Sequence, residues 1–394
     1  MRRVEFEKSE QACDILRELD IDIWLVWVRE TSQMADPVLP LVFGGDLVWH
    51  SALVYCADGT RTAIVGDFDA AAVEESGLFH KVVPYTKSIR DDLVSVLKDA
   101  DPQKVAVNYS RNDVASDGLT VGMYETLREH LRDTPYVNRL VSAEGLITRL
   151  RGRKTNTEIE RISRAVEITE SILSEIAGRV GPGMTELQVY QTFHELMSRH
   201  GVSPAWSASH NPAVDAGPDK QFGHSGPTDR LLVPDNLVHF DFGVKWMGYC
   251  SDLQRMFFLG PPSRVPEEVR TAFDTVQEAI QRAAEFMRPG RLGHEVDSIA
   301  RDFVRERGYE EYKHALGHQL GRAAHDGGTL LGPLWERYGD SPKGVVEVGN
   351  VFTLELYVTT REYGQVSLEE DILVTEDGCE FLSHPQRSLI HIER

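Results

Sequence analysis

A set of helix-ending residues recurs in the second half of the chain, and it limits the possible folds more than any other feature. Pro182 and Pro289, Gly183 and Gly290, and Gly201 and Gly308 are each 107 positions apart. Each Pro-Gly pair follows an apolar-periodic stretch of helical length, about 158–180 in the first copy and 267–287 in the second. A further helix follows each pair and ends at Gly201 or Gly308. Chance supplies one such match readily, because proline and glycine punctuate most chains. Three matches at one offset, between helices of similar length, predict a pseudo-twofold α/β arrangement.

The chain ahead of this repeat alternates strands and helices. Strands are expected at 21–28, 52–56, 62–65 and 105–108, and helices at 9–19, 90–98 and 120–131. This α/β layer has no glycine-rich phosphate loop and no catalytic constellation, so its expected role is to shape a site built elsewhere. A basic run, Arg149-Leu150-Arg151-Gly152-Arg153-Lys154, precedes a helix start at Thr155 to Glu158. A chain of 394 residues divides naturally in two. The expected domains are 1–148 and 158–394, with 149–157 as a solvated linker.

Five residues of the second domain, Asp241, Asp252, His318, Glu355 and Glu369, have the order and spacing of a two-metal ligand set. Four carboxylates balance two divalent cations, and hard oxygen donors with one imidazole suit Mn²⁺, Co²⁺ or Zn²⁺. Residues 237–243 alternate as a strand, with His239 and Asp241 on one face. The next strand, expected at 249–258, carries Asp252 and Gln254 on one face, and a hairpin brings the two aspartates together. Unpaired carboxylates at that distance repel until one protonates; two cations remove the problem. Glu355 lies in the apolar strand 351–358, where an unpaired carboxylate is costly. Alternation places Ser367, Glu369 and Asp371 on one face and Leu368, Glu370 and Ile372 on the other, which favours Glu369 over Glu370. His224, His314, His318 and His325 each stand near a glycine or small residue and suit proton transfer near neutral pH.

Composition narrows the partners. A net charge of −20 excludes nucleic acid and anionic membrane as expected partners. The amino-terminal residues lack the apolar run of a signal peptide, and no stretch suits a bilayer. Cys13, Cys56, Cys250 and Cys379 are scattered, as suits free thiols in a reducing cytoplasm.

These segments resemble the pita-bread metallopeptidases, the family of prolidase, aminopeptidase P, methionine aminopeptidase and the metal-free creatinase. Asp241-Phe242-Gly243 with Gly248-Tyr249-Cys250-Ser251-Asp252-Leu253-Gln254-Arg255 is similar to the DxG…GYxSDxxR signature. Gly317-His318-Gln319-Leu320-Gly321 with His325 looks like the GHxxG…H element, 369–376 like the EDxxxVTE strand, and 222–227 like the upstream histidine segment. The resemblance implies a pita-bread domain of two α/β halves behind a smaller α/β domain of the prolidase, aminopeptidase P and creatinase branch. It implies that Asp241 holds one metal, His318 and Glu355 the other, and that Asp252 and Glu369 bridge them around a shared hydroxide. It also implies proton transfer by Glu355, transition-state contacts from His224 and His325, and a substrate pocket at His314.

The implied substrate is a small peptide with proline second, cleaved as a dipeptide or at an amino terminus, by a cytoplasmic homodimer. Two positions depart from the family pattern: Leu356 stands where proline is common, and Ser367 where arginine is common. Arg361 and Tyr363 are the expected substitutes for that arginine. The same fold and metals acting on a non-peptide amide or related small molecule is the alternative reading, and a non-enzymatic binding module is a further one.

Overall fold

A computed structural model describes residues 4–219, 223 and 226–393. The chain forms two compact units that meet between Arg151 and Gly152. Among the described residues no helix is long and apolar enough to cross a membrane.

The first unit is a six-stranded sheet in the order β4-β3-β2-β1-β5-β6. Its strands are β1 (Ile23–Val28), β2 (Ser51–Cys56), β3 (Arg61–Gly66), β4 (Lys81–Tyr85), β5 (Val105–Val107) and β6 (Leu140–Ser142). Every residue of β1 is buried, as its unbroken apolar run requires for a central strand covered on both faces. One face carries α1 (Val4–Glu18) and the short α2 (Leu39–Val42), with α3 (Asp67–Ser76) completing that core. The other carries α4 (Arg90–Ala100) and α5 (Val121–His130).

The segment expected as a solvated linker is instead structured. α6 (Glu144–Gly152) runs through its first residues and α7 (Asn156–Ala177) begins in its last. Leu150, Arg151 and Lys154 are buried. The charges are matched inside the fold: Lys154 Nζ lies 3.3 Å from Asp326 Oδ2, and Arg153 grips Glu347 through two nitrogens at 2.9 and 3.0 Å. A basic run signals solvent only where no acidic partner waits for it.

In the second unit the repeat takes physical form. α7 and α8 (Glu186–His200) recur as α9 (Glu267–Phe286) and α10 (Gly293–Glu306). Gly183 and Gly290 share a left-handed backbone, φ 89° and 91°, that a side chain would strain. The N–H of each donates to an equivalent carbonyl, Leu232 at 2.8 Å and Val346 at 2.9 Å. The helices that follow start alike, with Gln188 reaching back to the Thr185 N–H and Glu295 to the Leu292 N–H, both at 2.9 Å.

Among the described residues ten strands complete this unit. They are β7 (Ser203–Pro204), β8 (Ala213–Ala216), β9 (Leu237–Phe242), β10 (Val244–Trp246), β11 (Tyr249–Cys250), β12 (Leu253–Phe258), β13 (Val351–Thr359), β14 (Gln365–Val374), β15 (Cys379–Phe381) and β16 (Ile390–His391). The principal sheet has seven strands, ordered β13-β14-β12-β9-β8 with β15 on β14 and β16 on β12; β11-β10-β7 forms a small second sheet. α9 packs on one face through Val269, Ala272, Val276, Ala279, Ile280 and Ala283, spaced three and four apart as an amphipathic helix demands, against Leu354, Leu356 and Leu368. The opposite alternation of the same strands is polar, and there the site is built.

Candidate metal centre

Four strands present a single row of polar side chains. Asp241 on β9 lies opposite Gln254 on β12, Gln254 opposite Glu369 on β14, and Glu369 opposite Glu355 on β13. Asp252 falls in the break between β11 and β12, a break the expected continuous strand 249–258 did not include. Its backbone N–H is held by Asp371 Oδ2 at 3.1 Å. The side chain is thereby fixed beside the row.

His318 reaches the row through a segment that runs alongside β13. The Thr353 N–H donates to the His318 carbonyl at 2.9 Å and the Glu355 N–H to the Leu316 carbonyl at 2.7 Å. This approach requires glycine at 317, where an added Cβ would meet the Thr353 carbonyl oxygen at 1.9 Å. Gly317→Ala is expected to displace His318 and cut metal uptake at least tenfold, the scale of losing a ligand's support. Metal titration by calorimetry checks it; unchanged uptake would show that the close approach is dispensable.

The imidazole Nε2 of His318 faces Glu355 Oε1 at 3.7 Å, Glu369 Oε1 at 3.8 Å and Asp252 Oδ2 at 3.9 Å. These distances are too long for hydrogen bonds. Nδ1 points to the Gln319 carbonyl at 3.4 Å, which places the proton on Nδ1 and the lone pair on Nε2. Burial, with His325 adjacent, depresses the His318 pKa to about 3, so the ring is neutral. A lone pair and three carboxylates thus converge on one point. Asp252 Oδ1 is buried without a hydrogen-bond partner among the described residues.

The electrostatics agree. Burial, then the carboxylates of Asp241, Asp371 and Glu355, hold Asp252 well above the ordinary aspartate range. Burial, then Asp252, Glu355 and Asp241, do the same to Glu369. Burial and Asp241 push Glu355 up to about 8, against a hydrogen bond from Gln254. Such crowding of like charge is what cations relieve. Asp252, His318 and Glu369 alone offer three donor atoms within 4.8 Å of one another. The donor set therefore fits divalent metal: four carboxylates and one imidazole whose proton is turned away.

Glu370 faces the other way. It chelates Arg255 at 2.9 and 3.1 Å and accepts from Ser383 Oγ and the Gln386 N–H. His325 stacks edge-on to His318, ring centroids 4.2 Å apart, on the exposed side. His314 lies near Tyr357 at 5.4 Å, two residues along β13 from Glu355, and burial lowers its pKa to about 4. His224 lies outside the described residues.

Two expected residues are not brought to this cluster. Arg361 and Tyr363 occupy the turn between β13 and β14. Arg361 is exposed and its backbone N–H meets Glu268 of α9, while Tyr363 packs on the helix-side core. β13 ends at Thr359, so four residues of strand, roughly 13 Å at 3.3 Å per residue, carry the chain from Glu355 toward this turn. The contacts made there turn Arg361 to solvent and Tyr363 to the helix-side core, and they lend no support to either as a stand-in for the arginine expected at position 367. Ser367 itself is buried, its hydroxyl 2.5 Å from Gln254 Oε1 and 3.1 Å from the Leu356 carbonyl. The residue that sequence reasoning placed on the right face without a role is Gln254, at the centre of the row.

Two similar α/β halves that aim carboxylates and a neutral imidazole at one point define a class, the metal-dependent hydrolases. The chain belongs to metallopeptidase family M24, which matches residues 160–376. An uncharacterized peptidase of Staphylococcus haemolyticus is 29% identical over 335 residues, 84% of this chain and 87% of the relative. Among solved structures, the Xaa-Pro dipeptidase of Bacillus anthracis has a TM-score of 0.75 at 23% identity, covering 98% of this chain and 99% of the other. The X-Pro aminopeptidase of Thermotoga maritima has a TM-score of 0.73 at 23% identity, with the same coverage. These likenesses establish the pita-bread fold, which serves a dipeptidase and an aminopeptidase alike.

Proposed function

We propose that this metallopeptidase holds two divalent metal ions and hydrolyses the bond before proline, in dipeptides or at peptide amino termini. The observation that carries this reading is the convergence of Asp252, Glu355 and Glu369 on the unprotonated Nε2 of His318. Asp241, Asp252, His318, Glu355 and Glu369 would hold the metals, with Mn²⁺, Co²⁺ or Zn²⁺ suited to the donors. Bound there, such ions polarise the scissile carbonyl and acidify water.

The chain's own groups supply the rest. Glu355 keeps Oε1 toward the cluster, where its carboxylate would take up a proton and pass it on. His325, at the exposed edge, would donate to the carbonyl oxygen as charge develops. His314 would line the wall against the substrate side chain, and His224 belongs to the same reading as a contact to the amide. A homodimer in the cytoplasm completes it.

The test is hydrolysis of a proline dipeptide beside a longer peptide with proline second, with Mn²⁺, Co²⁺ or Zn²⁺ added. Dipeptide cleavage alone identifies a dipeptidase, and release of the first residue from the longer peptide an aminopeptidase. If neither is cut while two metals bind per chain, the proline specificity is wrong.

A further inference from the structure

A buried polar chain crosses the principal sheet and ends on Glu355. Asp215 on β8 and His239 on β9 are register partners, with Oδ2 and Nδ1 at 3.1 Å. His239 Nε2 lies 3.0 Å from Gln254 Oε1, and the Ser367 hydroxyl on β14 lies 2.5 Å from the same oxygen. Gln254 Nε2 then donates to Glu355 Oε2 at 3.0 Å. Asp215, His239, Gln254 and Ser367 are all buried.

The direction of the amide follows from its ends. Glu355 as a carboxylate only accepts, so the NH₂ group of Gln254 must face it. That leaves Oε1 to His239 and Ser367, both able to donate. The amide is thus held from one side and grips Glu355 from the other. Its grip is on Oε2, while the oxygen that faces His318 is Oε1.

We infer that Gln254 is a positioning residue for Glu355, and that His239, backed by Asp215, and Ser367 hold Gln254 in place. The device fixes which carboxylate oxygen is offered to the cluster and prevents Glu355 from turning both oxygens toward it. A neutral amide suits the place. Lysine or arginine at the centre of the row would cancel a charge that two cations need, and a further carboxylate would repel Glu355. Burial without charge also spares a desolvation cost.

This inference rests on the metallopeptidase reading, and calorimetric titration of the metal-stripped chain with Mn²⁺ separates the two. A wild-type chain that takes up none of Mn²⁺, Co²⁺ and Zn²⁺ overturns both, and if it takes up one of the latter two the titrations are run with that ion. Given wild-type uptake, Gln254→Met, close in shape but without the amide, is expected to bind at least one Mn²⁺ equivalent about 10- to 100-fold more weakly, in a chain that still unfolds cooperatively though at a lower metal-free midpoint, since the buried partners of the amide lose their bonds. Ser367→Ala, the milder change, is expected to weaken Mn²⁺ binding about fivefold in the wild-type background and not at all in the Gln254→Met background. Wild-type affinity in Gln254→Met overturns the inference. If that variant fails to fold, wild-type affinity in Ser367→Ala does so alone, and additive losses in the double variant show that Ser367 acts independently of the amide.

Discussion

Asp252→Asn is expected to fold, to bind metal poorly and to lose turnover by on the order of 10³-fold or more. The size follows from the several kcal/mol that metal ions contribute to a hydrolytic transition state, at about 1.4 kcal/mol per decade of rate. The substitution changes almost no volume, so packing around the buried side chain survives. It removes one charge from a group in which Asp252 raises the pKa of Glu369 and Glu355 raises that of both. The metal-free variant is therefore expected to melt higher than the metal-free wild type at pH 8, even as the metal-loaded variant loses its activity. Turnover, metal content and thermal midpoints, measured on both proteins, check all three statements. Full activity in Asp252→Asn would refute the proposed centre.

Removing metal with a chelator is expected to lower the thermal midpoint, and by more at pH 8 than at pH 5. In the metal-free chain Asp252, Glu355 and Glu369 hold protons more tightly folded than unfolded. Protonation of these groups therefore favours the fold. That contribution is complete below about pH 4, the ordinary carboxylate range, and is lost as pH rises through the folded values, about 8 for Glu355. Metal takes the place of the protons and holds the carboxylates ionised, so its stabilising effect grows over the same interval. At a thousandfold excess over its dissociation constant a metal adds about 4 kcal/mol, worth about 10 °C for a domain of this size. Scanning calorimetry with and without chelator from pH 5 to pH 8 measures the gap. A gap independent of pH would mean that these carboxylates are not the groups that metal relieves.

Much of this architecture was legible in residue order. The helices of both halves were visible because Pro-Gly pairs stop them, and Gly183 and Gly290 adopt the same backbone. Carboxylates at 241, 355 and 369 stood out because each interrupts an apolar strand at a cost only a partner repays. Glu369 and Glu370 separated by alternation alone, since Glu370 turns to Arg255 across the sheet from the cluster.

The rest was illegible for physical reasons. Gln254 carries no charge and fits a strand's alternation, so nothing in its type announced a role. Arg361 and Tyr363 are near Glu355 in sequence, but β13 carries the chain on to Thr359 before the turn that holds them. The buried charges of 149–157 depended on Asp326 and Glu347, far along the chain. Sequence shows a residue's cost of burial and hides the partner that offsets it.

The pseudo-twofold seam gives the centre a second meaning. Strand β12 belongs to the first half and β14 to the second, and their ladder has one register pair, Gln254 opposite Glu369. Asp241 and Asp252 come from one half; His318, Glu355 and Glu369 come from the other. Any ion shared among them is a cross-link between halves, added to the backbone pairing of β12 with β14 and β16. Neither half alone carries a full coordination set, so affinity for the ion and cohesion of the halves are one free energy. Amide protons along β12 and β14 would then report metal occupancy by their exchange rates, without any substrate present.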